Sequence, residues 1–118
     1  GIRRVVDKWG IYFVELNPIR GSEQKGQRPV LVVSNDAVNK HLPICTIIPF
    51  SSYKNGRIYP TEVLLEKKVT GLPKDSILMI QQIRTIDQSR IVGTKVGEIK
   101  DQDIRDEINS SIREYFDL

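Results

Sequence analysis

The apolar residues of this chain change their spacing once, near residue 100. Before that point they fall into runs of four to six residues, too short to span a membrane and rich in β-branched and aromatic side chains. From Asp101 onward they recur every three or four residues, which predicts one amphipathic helix with Asp101 as its N-cap. Its apolar positions are Ile104, Ile108, Ile112 and Tyr115 or Phe116. The pattern predicts a mostly β fold: a small, curled antiparallel sheet or barrel followed by a C-terminal helix.

Turn residues divide the first hundred residues into five or six predicted strands. These are residues 10–16, 29–33, 44–51, 61–65, 76–84 and 90–92, with Pro49 marking an edge or bulge. Turns are expected at 52–60 and at Ile86-Asp87, and a short helical turn after Asn35. Loops are expected at 17–28 and 66–75. Because loops as long as 17–28 are uncommon in compact domains, this one is a candidate functional segment.

Composition restricts the class of protein. With 118 residues, 39% hydrophobic and 28% charged, the chain is expected to form one domain over residues 1–118. A single cysteine, Cys45, and a single histidine, His41, exclude an intrachain disulfide and a His-rich metal site. No signal peptide is recognisable. We therefore expect a cytoplasmic protein without a cofactor or bound metal.

Charge is unevenly distributed although the totals are close, at 18 Lys and Arg against 15 Asp and Glu. The predicted loop 17–28 holds three cations, Arg20, Lys25 and Arg28, whereas acidic residues crowd the C-terminal segment. A more positive body of this kind is suited to phosphates, but the surplus is too small to prove a polyanionic partner.

Arg28 stands where the polar loop becomes the apolar strand 29–33. Most arginines at such positions are solvated surface groups. Here, however, Gly21 and Gly26 permit close approach of a ligand to the backbone, and the strand that follows would fix the guanidinium in place. Its planar fork of donors matches a phosphate. Arg28 is therefore a candidate anion-binding residue.

Ser51 and Ser52 end the third predicted strand, beside a basic loop with Lys54 and Arg57. Serines at strand ends are more often turn formers, and the alternative directs the Ser51 hydroxyl at an anion. Glu23 lies in the predicted loop 17–28, where a glutamate is more often solvated than catalytic. Since no nucleotide-binding glycine loop, zinc spacing or Ser-His-Asp triad is present, the residues alone indicate a β-rich domain with a possible anion site.

Three sequence blocks, IYFVELNP, GSEQKGQRPVLVVSND and DSILMIQQIRTID, occur in this order before the helix. Together they resemble the MazF/PemK family of toxin endoribonucleases over residues 8–116. The resemblance implies a barrel like that of the CcdB gyrase poisons, a homodimer, and metal-independent, sequence-specific cleavage of single-stranded mRNA. It also implies the toxin half of a type II toxin–antitoxin pair, which inhibits translation until the antitoxin protein binds.

The resemblance further implies roles for individual residues. Arg28 corresponds to the catalytic arginine, Ser51 to the catalytic hydroxyl residue, and Glu23 is the leading candidate for a general base. The predicted RNA-binding residues are Gly21, Ser22, Gln24, Lys25, Ser52, Lys54, Arg57, Gln82 and Arg84. Cleavage by the 2′-hydroxyl of the RNA would give 2′,3′-cyclic phosphate and 5′-hydroxyl ends.

Three positions depart from the family pattern. Trp9 and Gly10 stand where a glycine and an aspartate are usual, and a tryptophan lacks the backbone freedom of glycine. The change bears on the entry to the first strand. Gln81 replaces a common glutamate, which removes a negative charge near the expected RNA groove.

Two alternatives remain at this level. One is a CcdB-like, non-hydrolytic inhibitor of DNA gyrase on the same barrel. The other is a degenerate homologue that binds RNA or the antitoxin without cutting. Arg28 and its loop distinguish the endoribonuclease from the gyrase inhibitor. The gyrase-inhibitor hypothesis assigns no function to Arg28 and would place the activity in the C-terminal helix.

Overall fold

A computed structural model of the chain describes residues 5–16 and 26–118. Their strands are β1 (Gly10–Leu16), β2 (Gly26–Val32), β3 (Ile44–Ser52), β4 (Glu62–Leu65), β5 (Ser76–Met79), β6 (Arg84–Asp87) and β7 (Ile91–Glu98). The α-helices are α1 (Asp36–His41), α2 (Lys67–Thr70) and α3 (Gln102–Phe116), and 3-10 turns cover Ile80–Gln82 and Gln88–Arg90. None of the helices in these ranges has the length and apolar character needed to cross a membrane.

All strand pairs of the sheet are antiparallel, in the order β4-β5-β3-β2-β1-β7, with β6 also paired to β3. The predicted mostly β, antiparallel fold with a C-terminal helix is therefore confirmed. The sheet does not close into a complete barrel, since no ladder joins β4 to β7 in the described part of the chain. The end of α2 lies against β7, where Gly71 approaches Val96 and Gly97 approaches Thr70.

Gly97 is required by this contact. A Cβ atom added at Gly97 would overlap the backbone carbonyl oxygen of Thr70. That carbonyl cannot rotate away like a flexible side chain, because the next residue, Gly71, ends α2 with its N–H bonded to the Lys67 oxygen at 2.9 Å. Only glycine lets the two backbones approach this closely.

We therefore expect Gly97→Ala to reduce the free energy of unfolding by roughly 2–3 kcal/mol, the usual cost of overpacking. Urea denaturation monitored by circular dichroism measures it as a lower midpoint. Thr94→Ala, at an exposed position of the same strand, serves as the control and should change stability by less than about 0.5 kcal/mol. Equal midpoints for the two variants would contradict the close packing of α2 on β7.

The predicted strand 76–84 is wrong, because a 3-10 turn divides it into β5 and β6. β5 follows one end of β3, with Leu78 opposite Phe50, and β6 follows the other, with Arg84 opposite Ile47. Three extra residues are thus inserted in the segment opposite the β3 stretch that contains Pro49. The irregularity lies in the partner of β3 and not, as predicted, in β3 itself, where Pro49 stays paired with Val30.

Other boundaries also differ from prediction. Pairing with β1 extends β2 back to Gly26, inside the predicted loop 17–28. The predicted turn at 86–87 belongs to β6, β7 runs on to Glu98, and α2 occupies part of the predicted loop 66–75. The backbone partners that extend or interrupt these segments lie far away in sequence, which local patterns do not report.

Two apolar clusters cover the two faces of the sheet. The cluster beneath α3 includes Trp9, Ile11, Ile48, Phe50 and Ile108, and partly buried Ile104 and Ile112 pack against it. The second includes Tyr12, Val14, Val30, Ile47 and Ile86. The predicted helix is confirmed, and the Asp101 carboxylate caps it by accepting the backbone N–H groups of Asp103 and Ile104 at 2.8 and 3.2 Å.

Trp9 controls the entry to β1 in a left-handed conformation, with φ 71°. Its N–H donates to Val32 at 2.8 Å, and its carbonyl accepts from Ile99 at 2.9 Å. The indole is buried, and the Lys8 ammonium and Arg105 guanidinium each lie 5.3 Å from the ring centroid. Burial and cation–π contacts thus offset a backbone conformation that most residues avoid.

The neighbouring departure, Gly10, follows from the same geometry. A Cβ atom at Gly10 would lie 2.8 Å from the Tyr12 ring and 2.9 Å from the Asp7 carbonyl oxygen. An aspartate side chain does not fit there without movement of the backbone. Trp9 and Gly10 therefore belong to a single backbone arrangement at the start of β1.

Candidate functional site

The candidate site lies at a fork, the place where β2 and β3 stop pairing and separate. The β2–β3 ladder ends at the pair Val30 and Pro49, after which β3 pairs with β5 from Phe50 onward. Arg28 and Ser51 each stand two residues beyond the last pair, so a continued ladder would have placed them opposite each other. Since side chains alternate along a strand, both belong to the same face of the sheet.

A cavity of about 270 Å³ lies at this fork. Its polar wall consists of Arg28, Ser51, Ser52, Lys74 and Ser76, and Phe13, Phe50 and Leu72 are among its apolar residues. The described part of the lining holds two cations, three hydroxyl groups and no carboxylate. An anionic ligand that also carries an apolar or aromatic group matches this surface.

Arg28 is held by β2. It pairs with Val14 of β1, and the next residue, Pro29, pairs with Phe13. The sequence predicts Arg28 at the end of the loop 17–28, but in the structure Arg28 lies inside β2. Its half-buried side chain projects from a backbone fixed on the β1 side. That backbone limits the positions that the guanidinium can take.

Residues of the segment 72–76 also line the cavity. The sequence did not identify this segment as part of the site. Its Asp75 accepts the Tyr53 N–H through the backbone carbonyl and the Lys67 N–H through the side chain, each at 2.9 Å. The Ser76 hydroxyl donates to the Lys74 carbonyl at 3.0 Å. No motif marks Lys74, and Ser76 lies in the block DSILMIQQIRTID without an assigned role. The pairing of Ser52 with Ser76 brings both residues to the site.

The remaining described candidates lie outside the cavity wall. Lys54 and Arg57 are exposed in the segment after β3, and the Arg57 guanidinium lies 5.3 Å from the Tyr59 ring centroid. Gln82 ends the first 3-10 turn, and Arg84 pairs with Ile47, four residues before Ser51. At about 3.3 Å per residue, Arg84 lies roughly 13 Å along β3 from the fork.

Five of the predicted site residues fall outside the described ranges. They are Gly21, Ser22, Glu23, Gln24 and Lys25. Their roles in RNA binding, and that of Glu23 as a base, stay predictions.

Gln81, the third departure from the family pattern, bridges to β4. It accepts the Thr61 hydroxyl at 3.1 Å, and its amide nitrogen donates to the Glu62 carboxylate at 3.0 Å. A glutamate at this position would place two carboxylates within hydrogen-bonding distance. The uncharged amide of Gln81 can therefore donate to Glu62 of β4, which a carboxylate at this position could not do.

Cys45 and His41, the reactive side chains that remain in the described part of the chain, lie apart from the cavity wall. Burial, with a smaller contribution from Asp87, raises the pKa of the Cys45 thiol to about 11, so the thiol stays protonated at neutral pH. His41 is exposed at the end of α1. Over the described ranges, no three His, Cys, Asp or Glu side chains group together as a potential metal site.

Solved structures of bacterial toxins share this fold. MazF from Deinococcus radiodurans is 25% identical, with a TM-score of 0.79 over 98% of this chain and 99% of that one. The Mycobacterium tuberculosis toxin MazF-mt6 is 25% identical, with a TM-score of 0.74 over 92% and 97% of the two chains. The same fold also occurs in an endoribonuclease from Mycobacterial species at 19% identity, with a TM-score of 0.76 over 100% of this chain and 97% of that one. The fold is therefore that of the MazF-type toxins.

A family model described as "PemK-like, MazF-like toxin of type II toxin-antitoxin system" matches residues 7–116. The chain belongs to this family.

Proposed function

We propose that this protein is an endoribonuclease toxin that cleaves single-stranded mRNA in a sequence-specific manner and thereby inhibits translation. The observation that supports this most is the shared cavity of Arg28 and Ser51, whose described lining has two cations and no carboxylate. Family membership supports it as well, as does the fold shared with the mycobacterial endoribonuclease. A phosphodiester fits such a wall, since a guanidinium and a hydroxyl can donate to its oxygens.

In the proposed reaction the RNA supplies the nucleophile. The 2′-hydroxyl oxygen bonds to the adjacent phosphorus, and the bond from phosphorus to the 5′-oxygen breaks. A 2′,3′-cyclic phosphate and a 5′-hydroxyl result. Between these states the phosphorane carries extra negative charge, which donors fixed in advance stabilise. Arg28 provides the charged fork, and Ser51 donates to the same nonbridging oxygen.

Two proton transfers complete the proposed mechanism. Glu23 is the proposed base for the 2′-hydroxyl proton. A guanidinium is a poor acid at neutral pH, so it donates only late, when the 5′-oxygen has become strongly basic. Because the nucleophile belongs to the substrate, the reaction requires no metal-activated water, and we propose that it is metal-independent.

We also propose an antitoxin protein as the inhibitor and a homodimer of single-domain chains, residues 1–118, as the cytoplasmic form. MazF in a MazE–MazF structure from Deinococcus radiodurans supports the antitoxin, at 25% identity with a TM-score of 0.74. An antitoxin peptide that covers the cationic cavity would exclude RNA from it.

A fluorogenic RNA of mixed sequence, incubated with the protein in EDTA, tests the proposal. We expect cleavage into fragments with 5′-hydroxyl ends, and sequencing of those ends would define the preferred motif. Intact RNA together with inhibition of gyrase supercoiling would instead indicate a gyrase poison. RNA binding without cleavage would indicate a degenerate binder.

We expect Ser51→Ala to lower kcat by about 10- to 100-fold, somewhat less than the loss reported for a dedicated oxyanion donor. Stability should change by less than about 0.5 kcal/mol, because the backbone pairing with Ile77 does not need the hydroxyl. Single-turnover cleavage and thermal unfolding measure the two effects. Ser51→Thr, which keeps a hydroxyl, is the matched variant and should retain most of the rate. A large loss of stability with unchanged kcat would show that Ser51 is structural.

A further inference from the structure

We propose that Lys74 is a second phosphate-binding residue of the cavity, and that it holds the phosphate next to the scissile one in a bound single-stranded RNA. The inference rests on the proposed RNA cleavage and assigns a substrate contact that the sequence blocks do not contain. Arg28 and Ser51 would act at the scissile phosphate, and Lys74 would bind and align the strand.

The topology places the two cations on opposite sides of β3. Arg28 extends from β2 on one side, two residues beyond the last β2–β3 pair. Lys74 precedes β5 on the other, two residues before Ser76, which forms the last β3–β5 pair. Paired strands lie about 4.8 Å apart, so β2 and β5 are about 10 Å apart across β3 near Pro49 and Phe50, where β2 makes its last pair before Arg28. This span is wider than one phosphate group and suits consecutive phosphates of one strand.

The backbone that carries Lys74 is fixed before any ligand arrives. Asp75 ties it to Tyr53 at the exit of β3 and to Lys67 at the start of α2. On the other side, the Leu72 N–H donates to the Thr70 hydroxyl at 3.0 Å, and Pro73 has a restricted φ. Binding would therefore cost little ordering beyond the side chain of Lys74 itself.

Charge favours an anionic ligand at this lysine. Across residues 5–16 and 26–118, no carboxylate forms an ion pair with Lys74. Its neighbour Asp75 instead accepts the Lys67 N–H. A lysine is a mobile point charge and binds phosphate without a fixed orientation, which suits a residue that holds the strand and takes no part in the chemistry.

The experiment compares Lys74→Ala with Lys68→Ala, which removes the same charge from α2. The Lys68 side chain is 76% exposed and pairs with Glu66 at 3.6 Å. Cleavage of the mixed-sequence RNA is measured between about 50 and 200 mM salt. We expect Lys74→Ala to raise KM roughly five- to tenfold with little change in kcat. The slope of log(kcat/KM) against log[salt] should become shallower by about 0.7, the share of one phosphate contact in a single strand.

Lys74→Arg should restore the KM and the salt slope, and Lys68→Ala should leave both unchanged. The inference is overturned if the two alanine variants behave alike, or if Lys74→Ala lowers kcat at constant KM. If the wild-type protein cleaves no RNA, the proposed function fails by itself. In that case, the role of Lys74 is tested by the affinity of Lys74→Ala and of Lys68→Ala for single-stranded DNA of mixed sequence, which has phosphates but no 2′-hydroxyl. Absence of DNA binding in the wild type overturns the role of Lys74 too.

Discussion

Arg28→Ala is expected to reduce the rate of RNA cleavage by about 10²–10³-fold, the loss that follows removal of one preorganised donor from a developing oxyanion. The fold should survive, because the side chain is half-buried and the β1 pairing of residue 28 involves only its backbone. Single-turnover cleavage of the fluorogenic RNA in EDTA measures the loss. Circular dichroism checks the fold.

Two variants sharpen this test. Arg28→Lys keeps the charge and loses the planar fork, so it should recover only a small part of the rate. Arg113→Ala removes one positive charge from an exposed position of α3 and should cleave at the wild-type rate. Equal rates for Arg28→Ala and Arg113→Ala would show that the cavity is not the catalytic centre.

Trp9→Ala is expected to lower the free energy of unfolding by about 3–5 kcal/mol, as for other buried tryptophans. The loss combines a cavity beside Ile11 and Ile108 with removal of the cation–π contacts to Lys8 and Arg105. Alanine also keeps the penalty of the left-handed backbone, which costs non-glycine residues roughly 1–2 kcal/mol.

Trp9→Gly therefore provides a test of the strain. It makes the same cavity but relieves the backbone, so it should be more stable than Trp9→Ala by about 1 kcal/mol, the reverse of the order at ordinary strand positions. Urea midpoints of the two variants measure the difference. As a control, Tyr59→Ala removes an exposed aromatic ring and should cost less than about 0.5 kcal/mol. Greater stability of the alanine variant at position 9 would refute a strained backbone at that residue.

Local signals predicted much of the fold. The amphipathic period after Asp101 located α3, and Ile108 is buried beneath it as the spacing requires. The β-branched run 10–16 coincides with β1, and Asn35 caps α1 by accepting the Val38 N–H at 2.8 Å. These features depend on residues within a few positions of one another, which a linear pattern records.

The division of the segment 76–84 was not predictable in this way. Its residues have strand propensity throughout, yet the chain turns at Ile80–Gln82, where the Ile80 N–H bonds to the Thr61 carbonyl at 3.0 Å. That partner is nineteen positions away in the printed numbering. Long-range pairing overrides local preference here.

For the candidate site, the sequence determined the chemistry, and the tertiary structure decided which groups meet. Arg28 was recognisable as a possible phosphate ligand within a family block, and Ser51 as a strand-end hydroxyl that corresponds to the family's catalytic hydroxyl residue. Lys74 lies outside the family blocks, and Ser76 lies inside one without an assigned role. Both reach the cavity only through the ladder between β3 and β5. Side-chain chemistry is a property of each residue, whereas proximity depends on the place where β2 separates from β3 beyond Pro49 and β5 pairs with β3 on its other side. Only the folded chain establishes that arrangement.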